Sequence, residues 1–269
     1  FSRRADLRAL AFAFLRAFYL RESLAFFKKI LYNFFMSIYY LIELLASFFA
    51  VAIVLTLHEF AHAFVAYKCG DPTPKFNGRL TLNPLAHFDI LGLILFALAG
   101  FGWAKPVPIN PNNFNHYKRG LALTAVAGVV MNYVTAFLFC PLFYLVLYYV
   151  NIPIVGLQYF LEMFTLYLFL YSVSFCVFNL IPLPPLDGWR VVQALNRRRG
   201  KVYRFFERYG YVILIVLIGI HFLVNFMSNY EMLRLASRIL SYADILGYIM
   251  NYVVRAFQWP ITALWGLVF

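Results

Sequence analysis

Charged side chains are scarce in this sequence. Of its 269 residues only 13% are Asp, Glu, Lys or Arg, whereas 64% are hydrophobic. Soluble domains are about a quarter charged and about half apolar, so this composition excludes an ordinary soluble protein. Residues 120–161, 163–186 and 209–230 contain no charged side chain. Because about 20 apolar residues cross the hydrocarbon core of a bilayer, these stretches predict membrane-spanning helices.

Acidic residues and cysteines are also few. There are 11 acidic and 23 basic residues, which gives a formal charge of +12, and the bases cluster beside apolar runs in residues 3–29, 68–75 and 190–208. Such placement is typical of cytoplasmic loops and of contact with anionic lipid headgroups, so we expect a lipid-bilayer partner and no nucleic acid. The three cysteines are far apart and suggest neither a disulfide framework nor a metal site.

Three regions follow from this pattern. Residues 1–30 are basic and aromatic, with apolar residues at helical intervals, which predicts an amphipathic segment at the membrane surface. Residues 31–227 are predicted to form one membrane-embedded domain with its core at about 50–200. Residues 228–269 carry arginines among aromatics and predict an amphipathic or transmembrane tail.

The membrane domain is predicted to have four spans, near residues 31–67, 119–150, 157–181 and 209–227. Between the first two lies segment 68–118, rich in Gly and Pro, whose uncharged part 90–104 is too short to cross. Irregular backbone at membrane depth is tolerated only where protein or a water-filled cavity surrounds it. The sequence thus predicts an all-α polytopic membrane protein, a bundle of about 4–6 transmembrane helices with a re-entrant, strand-containing loop between its first two core spans.

The first span carries ionisable side chains near its end. His58, Glu59 and His62 form the pattern H-E-x-x-H, in which the two histidines project from one helix face and can bind one metal ion. Glu59 can reach a metal-bound water as general base. Ionisable groups inside a span cost about 2.5–3.5 kcal/mol each, a cost that a shared metal ion offsets. Zinc suits this nitrogen and oxygen donor set.

A catalytic zinc site needs a third protein ligand. Asp187 stands in the run NLIPLPPLDG, where prolines free the backbone and Gly188 permits a sharp bend. An aspartate beside glycine is also common in turns, so spacing alone leaves ligand and turn open. His87 and Asp89 could form a second metal pair, but we favour a structural hydrogen bond there because no third ligand is apparent.

Three motifs in this order resemble the site-2 proteases, the intramembrane zinc metalloproteases. They are H-E-x-x-H on a membrane helix, AGVVMN at residues 127–132 on a later helix, and NLIPLPPLDG at residues 179–188 after the next one. The segments RLTLNPLAHFDILG and GWAKPVPINP further resemble compact bacterial-type members without PDZ or CBS modules.

The resemblance implies a function and roles for five residues. His58, His62 and Asp187 would bind one Zn²⁺ per chain, and Glu59 would activate water. Asn132 would match the family asparagine that helps to hold the substrate or the developing oxyanion, with an interhelical hydrogen bond as the alternative role. The implied activity is hydrolysis of a peptide bond in a transmembrane helix, as in regulated intramembrane proteolysis, and the implied partner is a single-pass membrane protein.

Two other functions are compatible with the motifs. A catalytically silent scaffold could bind membrane helices, although the presence of all three candidate ligands and of Glu59 disfavours it. A metal-ion carrier should have polar residues on several spans, whereas the second and fourth offer little beyond Asn132 and His221. The basic loops 68–79 and 190–208 predict that the active site lies near the cytoplasmic side.

Overall fold

The structure, a computed structural model, describes residues 36–89, 91–92, 104–196 and 198–269. The chain divides into two compact units, residues 1–45 and residues 46–269. Of the first unit, residues 36–45 are described, and they are helical. The predicted amphipathic segment 1–30 lies outside the described residues.

Four helices of the described chain are long and apolar enough to cross a membrane. They are α1 (Met36–Lys68), α3 (Tyr117–Tyr149), α4 (Val155–Leu180) and α6 (Lys201–Ser228). The prediction of a polytopic all-α membrane protein is confirmed. Helix α6 begins eight residues before the predicted apolar run 209–227. The basic and aromatic residues 201–208 form its first turns.

The long helices α3 and α4 pack closely because small side chains line their contact. Ala136 and Cys140 of α3 are buried against Val173 and Val177 of α4. A second cluster joins Ala50 and Val54 of α1 to Leu168 of α4. In a bilayer, association of helices depends on such close approach, since lipid tails are as apolar as leucine side chains.

The C-terminal region folds back onto this bundle. After α7 (Arg234–Ser241), one helical run comprises α8 (Ile245–Tyr248), a π-helical segment (Ile249–Val253) and α9 (Val254–Trp265). Val254 and Ile261 join the buried cluster between α3 and α4. The indole Nε1 of Trp265 donates to the carbonyl oxygen of Phe137 over 3.0 Å.

The connection between α1 and α3 is irregular. It contains the one-turn helix α2 (Thr73–Phe76), two 3₁₀ turns (Pro84–Ala86 and Pro111–Asn113) and one antiparallel bridge between Phe88 and Ala104. The described part of this connection has no strand, so the predicted strand-containing loop is not confirmed. Prolines along the segment cannot donate backbone hydrogen bonds, which works against a regular ladder. Residues 90 and 93–103 lie outside the described part.

One buried carboxylate ties the two ends of this connection together. Asp71 is fully buried, and its two oxygens accept hydrogen bonds from Thr73 N (3.1 Å), Thr73 Oγ1 (2.6 Å), Asn110 N (2.7 Å) and Asn113 Nδ2 (2.8 Å). The backbone N–H of Asn115 also donates to the carbonyl oxygen of Cys69. The residues just after α1 are thereby fixed to the residues just before α3.

Replacing Asp71 by asparagine should loosen this connection. An amide oxygen is a weaker acceptor than a carboxylate oxygen, and the amide NH₂ would face the donors, so we expect a loss of about 1.5–3 kcal/mol of stability. The measurement is thermal unfolding of the detergent-solubilised protein. Asn113→Ala removes only one of the four hydrogen bonds and should cost less. An Asp71→Asn protein as stable as wild type would contradict this role.

The same carboxylate predicts a pH dependence. Burial alone raises the pKa of Asp71, but the hydrogen bonds from Thr73, Asn113 and Asn110 outweigh it and hold the pKa below its ordinary value. Its stabilising contribution is therefore complete above about pH 4, the unfolded value, and is lost as the pH falls through the folded value. Proteolysis of this connection should increase on acidification in wild type and less so in Asp71→Asn.

Candidate metal centre and active site

Helix α1 places two imidazoles on one face. His58 and His62 are one turn apart, with their ring centroids 4.6 Å apart, and they are only 5% and 2% exposed. Their Nε2 atoms lie 3.0 Å from each other. The spacing of four residues thus gives the shared face that the sequence predicts.

Asp187 joins them from another part of the chain. Helix α4 ends at Leu180, and after the proline-rich residues 181–186 the chain enters α5 (Asp187–Leu195) with Asp187 as its first residue. A Cβ on Gly188 would lie 2.4 Å from the carbonyl oxygen of Leu180. Only glycine therefore lets the start of α5 approach the end of α4 so closely.

The three side chains form a compact triangle of ligand atoms. Asp187 Oδ2 lies 3.2 Å from His58 Nε2 and 3.0 Å from His62 Nε2. Tetrahedral zinc, with bonds of about 2.0–2.1 Å, places its ligand atoms about 3.3 Å apart. Among the described residues this is the one group of three His, Cys, Asp or Glu side chains whose ligand atoms converge. The geometry and the His₂Asp donor set both fit a zinc ion.

The hydrogen bonds around the triangle favour a cation within it. The carbonyl oxygen of Thr124 lies 2.7 Å from His62 Nδ1 and can only accept, so Nδ1 carries the proton of the neutral ring and Nε2 presents a lone pair. Asp187 Oδ2 is buried, and no described group donates to it with good geometry. The Nε2 lone pair of His62 and the buried oxygen of Asp187 therefore face each other, an arrangement that a bound cation stabilises.

Asp187 is held from its second oxygen as well. Arg190 Nη1 lies 3.6 Å from Asp187 Oδ1, on the side of the carboxylate away from the histidines. The positive charge of Arg190 favours the ionised form of the Asp187 carboxyl, which is the form that can bind a metal ion. Arg190, which stands one turn after the aspartate, was not predicted from the sequence as part of the site.

Helix α3 closes the centre against the two rings. A Cβ on Gly128 would lie 2.4 Å from His62 Nε2 and 2.5 Å from His58 Cε1. The helix backbone therefore passes directly over the imidazoles, and any side chain at this position would push them apart. The glycine of the AGVVMN motif has a structural explanation in this close approach.

Glu59 lies beside the triangle and is not part of it. It is partly exposed, and its Oε2 accepts a hydrogen bond from the backbone N–H of Val107 over 3.1 Å. Val107 stands between Pro106 and Pro108, neither of which has an N–H group, so it is the one backbone donor of this tripeptide. The connection between α1 and α3 thereby orients the carboxylate next to the ligand histidines.

The structure places Asn132 against His58. Asn132 is fully buried, and its Nδ2 lies 3.0 Å from His58 Nδ1.

His87 and Asp89 do not form a metal pair. His87 Nε2 donates to the carbonyl oxygen of Thr81 over 2.9 Å, and Asp89 Oδ1 accepts from the backbone N–H of Gly92 over 3.0 Å. Both residues thus have the structural hydrogen bonds that the sequence analysis favoured.

Comparisons with known proteins indicate a metalloprotease family. The sequence model of peptidase family M50 matches residues 150–221, which include Asp187. A Bacillus subtilis protein named "Putative zinc metalloprotease YwhC" is 41% identical over 182 residues, which cover 66% of this chain and 79% of that relative. A Mycolicibacterium smegmatis protein named "Putative zinc metalloprotease Rip2" is 30% identical over 176 residues, covering 61% of this chain and 62% of that relative.

No solved structure gives a significant match. The identity to the Bacillus subtilis protein extends over more than two thirds of that protein. The buried group of His58, His62 and Asp187 could hold a metal ion, which is compatible with a metalloprotease. The chain belongs to peptidase family M50, the site-2 protease family of metalloproteases.

Proposed function

We propose that this protein is an intramembrane zinc metalloendopeptidase that hydrolyses a peptide bond within a transmembrane helix of a membrane protein, as in regulated intramembrane proteolysis. One observation carries the proposal. The convergent ligand atoms of His58, His62 and Asp187 are buried at a helix long and apolar enough to span a bilayer, and Glu59 stands beside them. The zinc metalloprotease names of both relatives support the same metal.

The three ligands divide the work of holding one zinc ion. His58 and His62 supply neutral nitrogen donors from one helix, and Asp187 supplies a single anionic oxygen from the start of α5. When bound, zinc acts as a Lewis acid toward a peptide carbonyl and lowers the pKa of a coordinated water. With these three residues as its protein ligands, the ion would still have room to bind the water or the carbonyl.

Glu59 is the proposed general base. The hydrogen bond from Val107 N occupies Oε2 and fixes the carboxylate, which leaves Oε1 to take a proton from the attacking water. The same carboxyl then passes the proton to the departing amide nitrogen. For Asn132 the sequence-based proposal is contact with the substrate or the oxyanion.

The proposed substrate is the spanning helix of a single-pass membrane protein. Its backbone is already hydrogen-bonded, so a stretch must unwind before a carbonyl can reach the centre. The connection between α1 and α3, which contacts Glu59 through Val107, is the proposed binding element for the unwound stretch. The basic loops suggest a cytoplasmic-side active site, and we assign the protease domain to residues 31–227 with its core at about 50–200.

Zinc content tests the ligand assignment. Purified wild type should hold about one zinc per chain, and His62→Ala and Asp187→Ala should each lose it, because two remaining ligands bind zinc weakly. Mass spectrometry of the metal measures this. His87→Ala, which removes a buried histidine outside the centre, should keep zinc. Zinc retained in Asp187→Ala would show that the third ligand is another residue.

Glu59→Gln separates catalysis from metal binding. Glutamine can still accept from Val107 N but cannot take a proton, so we expect wild-type zinc content and a rate lower by about 10²–10⁴-fold. The measurement is cleavage of a detergent-solubilised membrane protein that wild type cleaves. Equal rates in Glu59→Gln and wild type would contradict the role of Glu59 as general base. The observed cleavage would then be assigned to a contaminating protease, and this protein would be a catalytically silent scaffold.

Gly128→Ala tests the fit of α3 over the rings. The added methyl group cannot occupy its place without displacing His58 or His62, so zinc should bind about tenfold or more weakly. Gly219→Ala is the matched control, because a Cβ on that helical glycine of α6 meets no atom within 4 Å. Chelator competition measures both affinities. Unchanged zinc affinity in Gly128→Ala would mean that the rings have room to move.

A further inference from the structure

Asn132 has an unusual environment for a residue that would contact substrate. Its side chain is 0% exposed, and its amide lies 3.0 Å from His58 Nδ1. In this orientation Nδ2 faces the ring, and the buried Oδ1 has no hydrogen-bond partner among the described residues. A buried amide oxygen without a donor costs about 1–3 kcal/mol, so this arrangement requires an explanation.

The chemistry of a ligand histidine supplies the explanation. His58 points Nε2 at His62 and Asp187, so it binds a metal ion through Nε2. A neutral imidazole that uses the Nε2 lone pair carries its proton on Nδ1, and that N–H must find an acceptor. His62 finds one in the carbonyl oxygen of Thr124. The group within reach of His58 Nδ1 is the amide of Asn132.

Rotation of this amide pairs the ring N–H of His58 with the amide oxygen, while the NH₂ group moves to the position where Oδ1 had no partner. A turn of 180° about the last side-chain bond exchanges oxygen and nitrogen at nearly the same positions. Asn132 Oδ1 then accepts the hydrogen bond from His58 Nδ1–H, and the oxygen that lacked a donor gains one. In the orientation described above, Nδ2 donates to Nδ1 and the ring proton sits on Nε2, in the place of the metal ion.

We propose that Asn132 is a positioning residue for the zinc ligand His58, whose ring orientation and proton position it fixes by accepting a hydrogen bond from Nδ1–H. The inference rests on the proposed zinc site. It differs from the role in holding substrate or oxyanion, which requires a donor directed at the reacting carbonyl. An amide that accepts from a buried imidazole acts through that imidazole.

The backbone around Asn132 keeps the amide in place. Thr135 Oγ1 lies 3.0 Å from the carbonyl oxygen of Asn132 and 3.2 Å from Ser172 Oγ of α4. These contacts link α3 to α4 directly beside the centre, and none of them involves a ligand atom. Thr135 therefore provides a matched control, since it belongs to the same buried polar cluster without touching a histidine.

The experiment compares zinc dissociation constants of the full-length protein in detergent, obtained by competition with a chromophoric chelator. Asn132→Leu keeps a similar volume but has no acceptor and should weaken zinc binding by about 10- to 100-fold. Asn132→Asp retains an acceptor and cannot donate, so it should bind zinc within about threefold of wild type or more tightly. Thr135→Val should lower the melting temperature of the zinc-free protein without changing its zinc affinity.

Each other outcome has a definite meaning. Equal affinities of wild type and Asn132→Leu would overturn the positioning role while leaving the zinc site intact. Equal weakening in Asn132→Leu and Asn132→Asp would also overturn it, because the acceptor would not be what matters. If Asn132→Leu does not fold, Asn132→Asp decides alone, and a loss of more than about tenfold rejects the proposal. A wild-type protein that binds no zinc would instead reject the proposed function itself.

Discussion

Three buried acceptor atoms that converge on one point impose the main constraint on this fold. His58 Nε2, His62 Nε2 and Asp187 Oδ2 lie 3.0–3.2 Å apart, and Asp187 Oδ2 has no hydrogen-bond partner among the described residues. Without a cation, such a cluster is unfavourable in a low-dielectric surrounding. The break after α4, the close passage of α3 and the acceptors behind the rings all serve to hold these atoms together.

Two glycines make this convergence sterically possible. Gly188 lets α5 begin against the end of α4, and Gly128 lets α3 pass over both imidazoles. Helices in membranes gain from close approach at small residues, and here the same approach defines one wall of a metal site. The carbonyl of Thr124, four residues before Gly128, is thereby brought to His62 Nδ1. Packing and ligand orientation are consequently two results of one helix contact.

The features that depend on side-chain identity and spacing, namely the shared face of the histidines and the membrane spans, were predicted from the sequence. The i, i+4 histidines shared a face, and apolar runs marked the spans to within a few residues except at the charged start of α6. Spacing left Asp187 open between ligand and turn, because a carboxylate after prolines serves either role. Contacts made by backbone groups, such as Thr124 O and Val107 N, carry no side-chain signature and could not be predicted. The strands expected in the first long connection are not confirmed in its described part.

The proposed ligand set reduces the net charge of the zinc site. A zinc ion carries +2, the two imidazoles are neutral donors, and the carboxylate of Asp187 offsets one positive charge, with Glu59 beside the three ligands. Burying a neutral group near membrane depth costs far less than burying a net charge. A third histidine in place of Asp187 would leave one more positive charge uncompensated. Arg190, whose side chain is 35% exposed, adds its charge where water can still solvate it.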